Sequence, residues 1–144
     1  MPIALQLLQE QPLIVTSYYG VVTADDYLEC YRTIFESSDY RPTMHELADT
    51  RSMDAFDVQL PAIRAVAEMV AQAIGETAFL MRTAVIEGSA PNRSVSKLYG
   101  AVADLYQKET LCLFPALPPA AAWLDLPGSA IPIIERELAL LNER

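Results

Sequence analysis

The sequence predicts an α/β domain on one mixed sheet of about five strands, in the order β-β-α-β-α-β-α-β-α-α, with helices packed against the sheet. Three observations predict it. Runs of β-branched and aromatic residues alternate with stretches whose apolar residues recur every three or four positions. The first two such runs are separated only by Glu10-Gln11-Pro12, so the sheet opens on a hairpin and is parallel thereafter. The chain has 144 residues, 52% hydrophobic and 20% charged, the composition of one globular domain whose core needs no metal or disulfide staple.

The hairpin strands are Ile3 to Gln9 and Leu13 to Tyr19. Gly20 and Thr23 close the second strand and open a helix. Thr23-Ala24-Asp25-Asp26 has the spacing of a capping box with Asp in place of Glu, and its acids suit the positive end of the helix dipole. Tyr27, Tyr31, Ile34 and Phe35 then share one helical face. Met44 to Thr50 reads as a short third strand after Pro42. Leu60, Ile63, Ala67, Val70 and Ile74 form one apolar stripe of a long helix, with Pro61 in its first turn and Gly75 at its end. Phe79 to Glu87 is the fourth strand. Ser89, Pro91 and Asn92 start a helix carrying Val95, Leu98, Val102 and Leu105, and Thr110 to Phe114 is the last strand. Pro118-Pro119 begins a short helix through Leu124, Pro127-Gly128-Ser129 breaks the chain, and an amphipathic helix occupies about 130–142.

The formal net charge of -9 repels phosphate backbones, and no Lys/Arg cluster offsets it, so nucleic acid and anionic membrane surfaces are not expected partners. The longest apolar run, Leu111 to Leu124, has 14 residues and three prolines, too short and broken to insert into a bilayer. The start of the chain lacks a basic leader, and Cys30 and Cys112 show no CxxC spacing. A cytoplasmic protein with two reduced thiols is therefore expected.

The element order and several short signatures resemble the SpoIIAA-like, or STAS-like, superfamily, and in particular its stand-alone bacterial members. The matching stretches are Tyr19 to Tyr27 at the first strand–helix joint, Leu47-Ala48-Asp49 in the third strand and Arg82 to Ile86 in the fourth. Leu113-Phe114 in the last strand and the Ala120 to Leu124 helix complete the set. The resemblance spans roughly residues 3–126, the core of a single domain over 1–144. It implies a protein–protein regulator or a ligand-sensing module. In anti-sigma-factor antagonists of this kind a serine beginning the helix after the third strand is phosphorylated. This chain lacks their Asp-Ser-Ser-Gly signature, and Ser52, then Thr50, are the positional candidates, with loop or capping roles as the structural alternative.

Ligands of open α/β sheets sit beyond the carboxyl ends of strands, which makes Asp49 and Arg51 candidate ligand-facing residues, and Arg82 and Tyr99 join them as candidates. The alternative for Asp49 is a turn cap. Arg82, in an apolar strand, needs a carboxylate partner or an exposed position. His45 is the one histidine and shares a strand face with Leu47 and Asp49. One histidine does not make a multi-His metal site, no cofactor motif is present, and no residue is assigned a catalytic role. Ile131, Ile134, Leu138 and Leu141 form a two-heptad seam on the last helix, to be covered by the domain's own sheet or by a partner chain, and they are the candidate dimer interface.

The leading expectation is a non-catalytic regulatory or protein-interaction module, a homodimer or the binder of another protein. The alternative is a carrier or sensor of a small apolar or lipid-like ligand, its pocket lined by Met53, Phe56, Met69, Met81 and Tyr99. Third is an enzyme of unknown reaction drawing on His45, Asp49, Arg82 and Tyr99.

Overall fold

The computed structural model describes residues 2–88 and 90–143, and for 90–96 the backbone only. The elements are β1 (Ile3–Leu8), β2 (Leu13–Thr23), α1 (Ala24–Glu36), β3 (His45–Asp57), α2 (Leu60–Ile74), β4 (Met81–Ile86), α3 (Ala90–Asp104), β5 (Glu109–Phe114), α4 (Leu117–Trp123) and α5 (Ala130–Leu141). This is the predicted order. The strands lie in the sheet in chain order, β1 to β5, with β1 antiparallel to β2 and every later pair parallel. Ser89 and the side chains of Pro91, Asn92 and Val95, expected to start and pack the third helix, lie outside the described residues.

Period-two alternation splits the sheet's side chains between two cores. Ile14, Tyr18, Ala48, Met81 and Val85 face α1, α2 and α3. Leu13, Val15, Leu47, Ala84 and Ile86 face α4 and α5. Strands buried on both sides need this near-continuous apolar sequence. α1 opens on the predicted capping box: the Thr23 amide donates to Asp26 Oδ2 at 3.0 Å and the Asp26 amide to Thr23 Oγ1 at 3.3 Å. α2 carries Pro61 in its first turn and ends at Gly75, whose φ is +64°.

Two expectations are corrected. β3 does not stop at Thr50 but runs to Asp57, because its second half pairs with Tyr19–Thr23 of β2 after two register shifts around Gly20. Gly20 has φ +61°, a conformation that suits the irregularity. Beyond Asp49 no β4 partner covers β3. That half is thus polar and largely exposed, and so reads as a loop in sequence. Ser52 consequently lies within a strand, opposite Tyr19, and not at a helix start, while Thr50 is buried with its hydroxyl donating to the Ile86 carbonyl at 2.8 Å. Gly88 lets the chain leaving β4 pass close to this stretch, since a Cβ there would meet the Thr50 carbonyl oxygen at 2.8 Å.

The second correction concerns the candidate dimer interface. Ile134 and Leu138 are buried against the chain's own sheet, and Ile131 and Leu141 flank the same core. Ser17 of β2 donates to Asn142 Oδ1 at 2.7 Å, tying the end of α5 to the sheet. The seam exists because the sheet's second face needs covering, and α4, only seven residues long, covers part of it.

Candidate functional site

On the α1–α3 face the alternation places two acids among apolar neighbours. Glu46 falls between the inward Met44 and Ala48, and Glu109 two residues before Leu111. Glu46 is 1% exposed and Glu109 4% exposed. A buried carboxyl is tolerable only with hydrogen-bond partners, and both acids have hydroxyl partners. Glu46 Oε2 accepts from Thr16 Oγ1 at 2.7 Å and from the Tyr31 hydroxyl at 2.8 Å, and Tyr31 in turn is 2.7 Å from the Tyr18 hydroxyl. Glu109 Oε2 accepts from Thr83 Oγ1, and Oε1 from the Tyr99 hydroxyl at 2.7 Å. Thr83 stands opposite Glu46 in the β3–β4 ladder, so one threonine separates the two clusters along the sheet.

Between them lies a cavity of about 50 Å³. That is room for a few waters or a group of a few heavy atoms. Ala48 and Val85 on the sheet keep its floor low, and Tyr27, Met53 and Phe56 wall it. Tyr27 packs edge-to-face on Tyr31 (5.2 Å, 75°) and on Phe56 (5.0 Å, 84°). Every polar side-chain atom shut off from solvent among the described residues has a partner. The Tyr27 hydroxyl has no hydrogen-bond partner among them, although the residue is only 5% exposed, so it borders the open space of the cavity.

Burial dominates the electrostatics. It pushes the Glu46 carboxyl up to about 7; the Thr16 and Tyr31 hydrogen bonds oppose the shift, and the nearby Glu109 adds to it. Glu109 is raised by burial and by Asp104, against its bonds from Thr83 and Tyr99. The phenols of Tyr18, Tyr27, Tyr31 and Tyr99 are all raised well above 10, chiefly by burial. Tyr27 is raised by both carboxyls, which places its hydroxyl within electrostatic reach of the pair. The site therefore holds two proton-exchanging acids in an aromatic box of neutral phenols. Hydroxyls rotate, so the network accepts either state of each acid.

Of the residues singled out from sequence, Tyr99, Met53 and Phe56 line this cavity, and Thr50 borders it. Met81 is core, and Met69 borders a separate surface groove with Phe35 and Tyr40. Asp49, Arg51, His45 and Arg82 do not join the cavity. Asp49 is held by its own neighbour: Arg51 Nε and Nη2 reach its two oxygens at 3.0 Å each. Arg82 pairs with Asp125 at 3.0 Å, donates to the Trp123 carbonyl at 2.9 Å and lies over the Trp123 ring. His45 Nδ1 accepts from the Arg82 amide at 2.9 Å and its ring stacks near Phe79; burial, then the Arg82 charge, lowers its pKa. The four shortlisted enzyme residues thus share no cleft. Cys30 and Cys112 are free, and burial raises the Cys30 thiol, leaving it a weak nucleophile.

Glu46 and Glu109 were missed. The available signal was phase: each acid sits in register with apolar strand positions, and tyrosines recur on the helices that cover them. Among the described residues no helix is long and apolar enough to cross a membrane.

No family model and no curated protein matches the chain. Among solved structures it is similar to an uncharacterized DUF3478-family protein with a SpoIIAA-like fold from Shewanella loihica PV-4. Identity is 16%, the match covers 85% of this chain and 93% of that one, and the TM-score is 0.53. At that identity the likeness speaks for architecture alone, and it agrees with the five-stranded mixed sheet and strand order found here: the chain has the SpoIIAA-like fold.

Proposed function

We propose that the protein is a non-catalytic module that binds a small ligand in the cavity between the sheet and helices α1 and α3. The observation that carries this reading is the pair of buried acids, Glu46 and Glu109, set around open space that is also lined by Tyr27, whose hydroxyl has no hydrogen-bond partner among the described residues. A sheet face built only for stability would place aliphatic side chains there, because each buried carboxyl costs several kcal/mol when ionised. Polar groups converging on an otherwise apolar pocket are the usual make-up of a ligand site. The non-catalytic part is supported by the bonding of His45, Asp49 and Arg82, each engaged in a structural contact away from the cavity.

A volume of about 50 Å³ suits a ligand of a few heavy atoms and not an acyl chain, which speaks against a lipid-like ligand. The test is a screen of small polar molecules against the full chain with ¹³C-methyl methionine. At least one class should shift the Met53 methyl, which lines the cavity, saturably and more than the Met44 methyl, which is core. A screen in which Met53 never responds ahead of Met44 would overturn the proposal.

A further inference from the structure

We infer that the ligand of this cavity is a small organic cation, an ammonium on a compact apolar body, held between Glu46 and Glu109 and boxed by tyrosine rings. The inference rests on the ligand-binding reading above and adds the chemical class. Charge is the first argument. Two carboxyls face the cavity, and no Lys, Arg or His is among the described residues lining it. No side chain there neutralises them once ionised, so a cation entering would supply the missing countercharge. The walls are the second. Tyr18, Tyr27, Tyr31 and Tyr99 surround the same space, and tyrosine rings attract alkylammonium groups through their π faces. The third is the donor set. Among the described residues no three His, Cys, Asp or Glu groups converge to hold a metal ion. An ammonium N–H can instead donate to the carboxyls and to the Tyr27 oxygen, which has no hydrogen-bond partner among the described residues.

Binding of such a cation is linked to protons. Facing the acids are Tyr18 from β2, Tyr27, Cys30 and Tyr31 from α1, and Tyr99 and Asp104 from α3. The phenols and the thiol are raised and stay neutral, so Glu46, pushed up to about 7, is the cavity group that titrates near neutrality, and burial raises Glu109 in the same direction. The cation would displace a proton from Glu46. For a carboxyl with pKa about 7, the ionised fraction rises about tenfold from pH 6 to pH 8, and affinity should follow it.

The experiment titrates the full chain with ethylammonium chloride and tetramethylammonium chloride, with tert-butanol and sodium acetate as neutral and anionic probes, and with sodium chloride as the ionic-strength control. Met53 methyl shifts are read at pH 6 and pH 8. At least one ammonium should bind ten times or more tighter than tert-butanol, and about tenfold tighter at pH 8 than at pH 6. Glu46→Gln should weaken that pH dependence, leaving what Glu109 contributes, and an unchanged dependence would refute the role of Glu46. Tyr27→Phe, which keeps the ring, should weaken binding without abolishing it, giving a second readout should the Glu46 variant fold poorly. Equal or stronger binding of tert-butanol or acetate would refute the cation while leaving the ligand site standing. No response of Met53 to any of the four probes would remove both.

Discussion

Replacing Glu46 with Gln is the most direct probe of the buried acid pair. The folded-state pKa of Glu46 is raised from 4.5 to about 7. A carboxyl with a raised folded pKa holds its proton in the native state at pH values where the unfolded chain has released it. Stability therefore falls as pH rises from about 4.5 through about 7, and the loss is complete above that. A shift of this size corresponds to about 3 kcal/mol. Gln keeps the shape and a carbonyl oxygen for Thr16 and Tyr31 but carries no charge, so it escapes the loss. Its amide N–H groups lack a ready acceptor, which takes back about 1 kcal/mol. Glu46→Gln should thus be more stable than wild type by about 2 kcal/mol at pH 8, and the advantage should disappear by pH 5. Urea unfolding of both proteins at pH 5, 6, 7 and 8 measures the difference directly; Glu109 is present in both, so its own titration largely cancels. A variant less stable than wild type at pH 8, or a difference independent of pH, would refute the electrostatic account of the site.

Three further predictions address the cavity, the last helix and the first cap. Ala48→Leu should fill the cavity floor, leaving stability within about 1 kcal/mol of wild type while ending Met53 shifts by any ligand; retained binding would place the ligand elsewhere. Leu138→Ala should cost about 2–4 kcal/mol by denaturant unfolding and leave the mass by light scattering unchanged, because Leu138 packs within its own chain; a change of oligomer with little loss of stability would contradict that packing. Thr23→Ala removes the side-chain half of the capping box and should lower stability by about 1 kcal/mol; an unchanged unfolding midpoint would show that the cap contributes nothing.

The element order was legible because each element carries its own period. The stripe Ile63, Ala67, Val70 and Ile74 is helical whatever it packs on, and the Thr23 box depends on neighbours three residues apart. The far half of β3 was not legible. Its residues alternate poorly and are mostly exposed, and only pairing with β2 across two register shifts makes them a strand. The site divides the same way. Tyr99, Met53 and Phe56 were named from residue type, whereas Asp49, Arg51 and Arg82 drew notice as charges on or beside strands and proved to be engaged in structural pairs.

By itself, then, the sequence determined the order of strands and helices, how the sheet begins, and that α5 has an apolar side needing cover. Tertiary structure alone decided that this cover is the chain's own sheet and that the acids of β3 and β5 meet the tyrosines of α1 and α3. The reason is distance along the chain. Periodicity and capping act within a few residues, while Glu46 and Glu109 become neighbours only when β4 is laid between their strands, which no local pattern encodes.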